Sequence, residues 1–291
     1  MTYSVTLADK TFYGSANESN HWWVGSGLVG WYDGVANRVD SVDVPGQHGS
    51  FTPQQVLLSG RHMTFECAIE FSTSAEAEAS GVDWLASLSA MEGFDFSVTD
   101  AGSTKSARCW IEPGQVVLSK RISEKVWKYS IPLFAPDPLK YGALETVRKG
   151  ASYVVSGGLQ YSLQYPLTYG DVAAAALSGY VQLFNSGTAD VYPMWRVGGP
   201  ITLGFQILSD DYVVRFDRAL LVNEEVYLGP EAGGRALLRD ESGAITDVSV
   251  SLTQANWASV PKQGQRGYIF SPIGVATGGS FVEATIRDGW F

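Results

Sequence analysis

Cysteine is scarce: two residues in 291, Cys67 and Cys109. That excludes a disulfide scaffold and a zinc site built on four cysteines. Basic charge is also in deficit, with 20 Lys and Arg against 30 Asp and Glu. A stable nucleic-acid binder needs a basic footprint to displace counterions from phosphates, and none is present. The acidic excess is not a tail either. Residues 1–149 hold 12 basic and 17 acidic side chains and residues 150–291 hold 8 and 13, so each half is −5. There are three histidines, His21, His48 and His62, and none belongs to an H-E-x-x-H or i, i+4 ligand pair. The longest apolar run, Val172 to Leu177, is too short to cross a bilayer. The first ten residues show no basic head followed by an apolar stretch, so no secretory signal is expected and the chain is expected to be soluble and made in a cytoplasm. Neither a G-x-S-x-G elbow nor a phosphate-binding G-x-x-x-x-G-K-[ST] loop occurs.

What the chain does hold is glycine, 32 residues, and tryptophan, 9 residues. Many turns and aromatics with few long amphipathic segments lean toward an all-β chain. Thr64–Phe71 alternates most clearly, with Phe65, Cys67, Ile69 and Phe71 on one strand face, so Cys67 reads as a small buried hydrophobe. Strand spacing recurs at 94–98, 107–111, 115–118 and 126–134. A single helix is expected before Gly93, capped by Thr73 or Ser74, with Glu76 and Glu78 in its first turns and Val82, Leu85, Leu88 and Met91 as its apolar stripe. Gly81 weakens that helix without forbidding it.

Pro136 and Pro138 flank Asp137 and fix a non-helical turn, with Tyr141 close behind. The break in pattern here divides the chain into domains 1–148 and 149–291. The second half reads as short strands at 180–184, 194–197, 201–207, 212–216, 219–222, 225–228, 236–238, 267–270 and 281–286, the spacing of a β-sandwich or jelly roll. The run Ala173–Ala176 is compatible with helix or strand. No internal repeat or low-complexity tract is present.

Few residues offer chemistry. Gly25-Ser-Gly-Leu-Val-Gly30 satisfies G-x-G-x-x-G, but Trp31-Tyr32-Asp33-Gly34 follows instead of a helix, so a dinucleotide site is rejected. The acid pairs Asp210-Asp211, Glu224-Glu225 and Asp240-Glu241 read as solvated turns rather than catalytic couples. No enzyme, cofactor or metal is expected. The density of Trp22, Trp23, Trp31 and Tyr32, continuing through Arg38 and His48 to Phe51, exceeds what one core strand needs and points to a protein interface. Exposed Trp195 or Trp257 would instead allow stacking on host cell-wall polysaccharide, which keeps a carbohydrate-binding module as the alternative.

Several segments in order resemble the distal tail protein, or minor tail protein, of long-tailed non-contractile phages of the actinobacterial type. Ile131-Pro-Leu-Phe-Ala-Pro-Asp-Pro-Leu-Lys-Tyr141 is similar to the family's Phe-x-Ala-x-Asp-Pro-x-x-Tyr-like turn. Trp31–Arg38 followed by Pro45–Gly49 resembles its Asp-Gly and Gly-x-x-Gly region, and Asn185–Pro193 the step that opens its second sandwich. Asn256–Trp290 looks like its closing hairpin with an Arg-Asp end, although Pro261–Gln265 replaces the usual turn. The resemblance implies an N-terminal β-sandwich or split barrel with one helix and a C-terminal galectin-like β-sandwich. It implies a homo-oligomeric ring, a hexamer, at the distal tail tip of the virion, assembled in the host cytoplasm. Such a ring has the tail tube above it, the tail hub below it, and DNA passing through without stable binding.

Overall fold

The computed structural model describes residues 3–14, 21–38, 43–48, 50, 57–90, 93–150, 179–230 and 233–291. The run Ala173–Ala176, left open between helix and strand, and Phe51 and Met91 lie outside them. The chain divides into two compact units, residues 1–142 with 290–291, and residues 143–289.

The first unit runs β1 (Ser4–Leu7), β2 (Lys10–Tyr13), β3 (His21–Val29), β4 (Arg61–Glu70), α1 (Ser74–Ala90), β5 (Phe94–Asp100), β6 (Ser103–Ile111), β7 (Leu118–Arg121) and β8 (Val126–Ala135), and ends at the start of β9 (Lys140–Gly150). The expected division at 148/149 therefore falls inside β9. The prolines do not end the first unit, because Lys140 is buried in it and Tyr141 pairs with Ser106 of β6. Hairpins link β1 to β2 and β5 to β6; at the second, Ala101 and Gly102 both take positive φ, as a two-residue turn between twisted strands requires. β4 pairs with β8 along its whole length, from Arg61↔Ala135 to Glu70↔Val126. Two further pairs, Trp110↔Phe134 and Ile111↔Leu133, join β6 to β8. The strands thus close in the order β6-β5-β1-β2-β3-β4-β8, a barrel.

Alternation fills the barrel. Phe65, Cys67 and Ile69 point inward from β4, and Phe94, Phe96 and Val98 from β5. Phe65 meets Phe12 edge-on at 5.2 Å and Phe96 at 5.7 Å. Burying each such ring is worth about 1.5–3 kcal/mol. Cys67 and Cys109 are buried free thiols, and desolvation raises both pKa values, that of Cys109 to about 12.

Thr73 caps α1, its hydroxyl accepting from the Glu76 N–H at 3.1 Å, while the Glu76 carboxylate accepts from Ser72 N–H at 3.1 Å. The buried face differs from the expected stripe: Val82 is 56% exposed, and Ala77, Gly81, Trp84 and Leu88 face inward. Trp84 packs edge-on against Tyr129 at 4.8 Å, and the Tyr129 hydroxyl donates to the Gly81 carbonyl at 3.4 Å. Gly81 is the contact point itself, since a Cβ there would stand 3.2 Å from that hydroxyl.

The second unit continues β9 and adds β10 (Tyr180–Asn185), β11 (Met194–Gly198), β12 (Gly204–Ser209), β13 (Tyr212–Phe216), β14 (Glu225–Leu228), β15 (Ala236–Arg239), β16 (Ile245–Asp247), β17 (Leu252–Ala255), β18 (Gly264–Ile273) and β19 (Phe281–Trp290). One sheet has the order β10-β18-β12-β13-β17 and the other β16-β15-β14-β11-β19-β9. The molecule is therefore mainly β, with one α-helix among the described residues. Trp195 of β11 meets Tyr268 of β18 edge-on at 5.0 Å, which joins the sheets in a sandwich core.

Three sequence readings are corrected. Residues 219–222 form no strand: Glu224 N–H donates to Leu221 O at 3.2 Å and its carboxylate takes Leu221 N–H at 2.8 Å, a tight turn that leaves Leu221 and Val222 exposed. The strand expected at 115–118 begins only at Leu118, because Gln115 N–H closes a turn onto Glu112 O. The closing segment is not a hairpin, since β18 and β19 belong to different sheets.

Candidate interaction surface

In the connection between β3 and β4, the described residues 30–38, 43–48, 50 and 57–60 form an arm. Two bridges, Asn37↔Leu58 and Asp43↔Ser50, hold its two legs antiparallel, with Arg38 N–H on Leu57 O at 2.6 Å and Ser59 N–H on Ala36 O at 2.9 Å. At its tip Gln47 N–H reaches Val44 O at 3.3 Å around Pro45-Gly46, where Gly46 has φ 74°. Proline followed by a positive-φ glycine is the sequence of a tight reversal. Most described arm side chains are exposed, Arg38 and His48 among them, with Val35, Val44 and Leu58 half-buried.

The base of the arm is held by two buried cations. The Arg61 guanidinium donates to Gly30 O at 3.0 Å, Asp33 O at 2.8 Å, Trp31 O at 3.4 Å and Pro138 O at 3.2 Å. Lys140 Nζ donates to Trp31 O at 3.0 Å and lies 5.6 Å from the Trp31 ring centroid. Burial, then Arg61 and Lys105, pull the Lys140 pKa from 10.5 down to about 8. Burial also lowers the Arg61 pKa, against the opposing pull of Asp33. Cations suit this place because each can serve several carbonyls that leave the sheet and have no strand partner. The turn before Lys140 is fixed by Asp137, which accepts from Leu139 N–H at 3.0 Å and from the Tyr141 hydroxyl at 2.6 Å.

The residues expected at an interface scatter accordingly. Trp22 is half-buried on β3, and the backbone of Trp23 lies in the same strand, so the segment is barrel wall up to Val29. Trp31 is only 2% exposed and packs edge-on against Phe96 at 5.4 Å, which makes it core rather than surface. Tyr32 is 59% exposed and its hydroxyl reaches Tyr3 and Asp100. Phe51 lies outside the described residues. Sequence reading missed Arg61 and Lys140, which stand among other polar residues in β4 and β9 and carry no signal of their own burial.

The Gly25–Gly30 string occupies β3 and the turn after it, with no helix start behind it. Each acid pair carries a turn. Asp210, at φ 48°, sits in the β12–β13 hairpin, and Asp240 accepts from the Ser242 hydroxyl and from the Ala244 and Ser242 N–H groups, which lowers its pKa. His62 meets Glu112 at 2.9 Å. Trp195, expected as a sugar platform, is 2% exposed, and the cavity it lines with Trp257 and Tyr268 is about 10 Å³, enough for one water and no sugar. In the second unit Asn185, 2% exposed, donates to Ala189 O at 2.8 Å and accepts from Gly187 N–H at 2.9 Å, and Asp288 accepts from Ser186 N–H at 2.9 Å. Among the described residues no helix is long and apolar enough to cross a membrane.

No family model and no characterised relative matches the sequence. Solved structures do match in fold. The Dit protein of phage SPP1, described as a paradigm of the hub adsorption apparatus of phages infecting Gram-positive bacteria, superposes with a TM-score of 0.58 at 12% identity over 100% of both chains. Chains of the phage p2 baseplate in its activated conformation match at 0.56 with strontium and 0.55 with calcium, at 10% and 9% identity, covering 98% of this chain and 97% of theirs. The fold is that of phage tail hub and baseplate proteins.

Proposed function

We propose that the chain is a non-catalytic structural subunit of the distal end of a phage tail. In this reading its N-terminal barrel closes into a hexameric ring around the DNA channel, joining the tail tube on one side to the hub and tip proteins on the other. The C-terminal unit is read as the galectin-like sandwich that the resemblance implies. In this reading, supported by the short motifs quoted above, the virus is a non-contractile phage of the actinobacterial type and the protein is assembled in the host cytoplasm. The observation that carries this reading is the end-to-end likeness to the SPP1 Dit protein, both units included.

The arm supports it. A cyclic ring needs two different surfaces on each subunit, and extended segments commonly provide one of them. An arm whose described residues are mostly exposed, yet clamped at its root by Arg61 and Lys140, fits that use. The subunit's net charge of −10 is compatible with DNA passing without adhering. Arm deletion tests the reading. Ala36 and Ser59 are already hydrogen-bonded, so a two-residue turn can join them. Sedimentation velocity should then find oligomers for the intact chain and folded monomers for the shortened one; equal oligomers from both would contradict an arm-mediated ring.

A further inference from the structure

The cavity beside Trp195 admits no sugar, but another surface of the second unit has the chemistry that cavity lacks. We infer that the outer face of β10, together with the turn leading into β18, is a binding site for a neutral oligosaccharide. The site does not depend on the ring, and it gives the subunit a role beyond the structural one proposed above.

Alternation along β10 buries Val181, Leu183 and Asn185 and turns Tyr180, Gln182 and Phe184 outward. Opposite these three on β18 stand Ile269, Gly267 and Gln265. Gly267 orients the first ring. A Cβ there would stand 2.4 Å from the Tyr180 hydroxyl and 2.8 and 2.9 Å from two ring carbons, so the ring lies across bare backbone. Tyr180 is 37% exposed, and Phe184, roughly 13 Å further along the strand, is 56% exposed. Between the two rings Gln182 Nε2 donates to Gln265 Oε1 at 2.9 Å, which fixes both amides. That bond leaves the Gln182 carbonyl as an acceptor and the Gln265 amino group as a donor for hydroxyls.

Phe184 also walls an open groove of about 550 Å³ with Ser186, Gln263, Gly264 and Gln265. That volume falls in the range of about 300–1,000 Å³ usual for small-ligand sites. Gln263, Gly264 and Gln265 come from the turn in which the sequence departs from the phage tail proteins it resembles. Gln263 holds φ 49°, a left-handed conformation uncommon outside glycine, and its N–H donates to Gly187 O at 3.0 Å. Beneath the groove the Asn185 amide donates to Ala189 O, Val260 O and Pro261 O. The turn and the strand are therefore locked before a ligand arrives, which keeps the ordering cost of binding low.

Charge selects the ligand. The chain has 20 basic and 30 acidic side chains, yet none of the residues lining the groove or flanking it on β10 is charged at neutral pH. Charged neighbours in the unit are engaged with one another or with backbone. Asp288 accepts from the Ser186 N–H at 2.9 Å and from its hydroxyl, Asp190 accepts from the Lys262 N–H at 2.9 Å, and Arg266 pairs with Asp210 at 3.4 Å. An ionic ligand gains no counter-charge from such a lining. A neutral sugar offers apolar C–H faces to the two rings and hydroxyls to the amides, which matches it. The rings stand farther apart than one sugar ring spans, so the ligand has several units.

The test titrates the full chain, up to millimolar ligand, with short neutral oligosaccharides (glucan, galactan, mannan and arabinan), beside a uronic-acid oligomer and a polyglycerol phosphate. Binding to a neutral member is expected. Phe184→Ala and Tyr180→Ala should each weaken it by about two- to tenfold, while Tyr180→Phe, which keeps the ring, should leave it unchanged. Phe184 is exposed, so its variant keeps the test sound even if Tyr180→Ala loosens the edge strand. No binding to any neutral member, a preference for the anionic ones, or affinity undiminished in Phe184→Ala would each overturn the site. Oligomers of the intact chain that are lost in Phe184→Ala would mark the face as a contact between copies and overturn it as well. A chain that is monomeric yet binds a neutral member through these rings would uphold the site while the ring reading fails.

Discussion

Lys140 gives the sharpest handle on the clamp at the root of the arm. Its ammonium is buried beside a second cation, Arg61, with a carbonyl and an indole face for company and, among the described residues, no carboxylate hydrogen-bonded to it. Burial and the two neighbouring cations depress its pKa from 10.5 to about 8. The unfolded chain therefore binds one more proton than the folded chain between pH about 8 and 10.5, and stability must rise with pH across that window. The fall from 10.5 to about 8 corresponds at face value to about 3 kcal/mol, which solvent reaching the site reduces to about 1–2 kcal/mol. Tyrosines titrate near the top of the window, so the wild type is compared with Lys140→Met, whose Trp31 carbonyl keeps the Arg61 donor at 3.4 Å. Urea unfolding of both proteins at pH about 7 and about 9.5 should show the difference moving in favour of wild type by about 1 kcal/mol as pH rises. A flat difference would mean that the site does not depress the lysine. A difference moving against wild type would mean that the carbonyl and indole contacts outweigh desolvation, and the description of the clamp would be wrong.

Other outcomes follow from the same structure. Asn185→Ala strands the Ala189 carbonyl and the Gly187 N–H in a buried site, at a cost of about 2–4 kcal/mol; a loss under about 1 kcal/mol in thermal unfolding would refute that role. Asp137→Ala removes the acceptor of Leu139 N–H and Tyr141 OH, so assembly should suffer while each unit, expressed alone, still folds; unfolded single units would contradict it. Both thiols should resist a thiol reagent at neutral pH in the native chain and react in denaturant, since each is fully buried with a raised pKa. Gly81→Leu should loosen α1 from Tyr129 and cost about 2 kcal/mol or more, read as lowered unfolding stability with secondary structure retained at low temperature.

The sequence spoke clearly wherever period alone decides. Phe65, Cys67, Ile69 and Phe71 alternate, and all four are buried in the barrel. Thr73 and Glu76 form the helix start because the capping chemistry is local. The helix face was misread because its contact point is Gly81, a residue with no hydrophobic signal, while Val82 beside it is exposed. Barrel closure through Trp110↔Phe134 is non-local and leaves no period to read. Aromatic density pointed to an interface at Trp31, and Trp195 was offered as a sugar platform, yet both are core, because large aromatics fill a barrel or sandwich as readily as they coat an interface. The buried cations were invisible for a related reason: whether Arg61 and Lys140 face water or stray carbonyls depends on where Gly30–Asp33 leaves the sheet.

The ring is the central claim, and native mass spectrometry with negative-stain imaging of the purified chain over a range of concentrations tests it most directly. The account predicts particles with a central hole at six times the 31.4 kDa subunit mass. A strict monomer at every concentration, alone and in the presence of a tail tube partner, would contradict it.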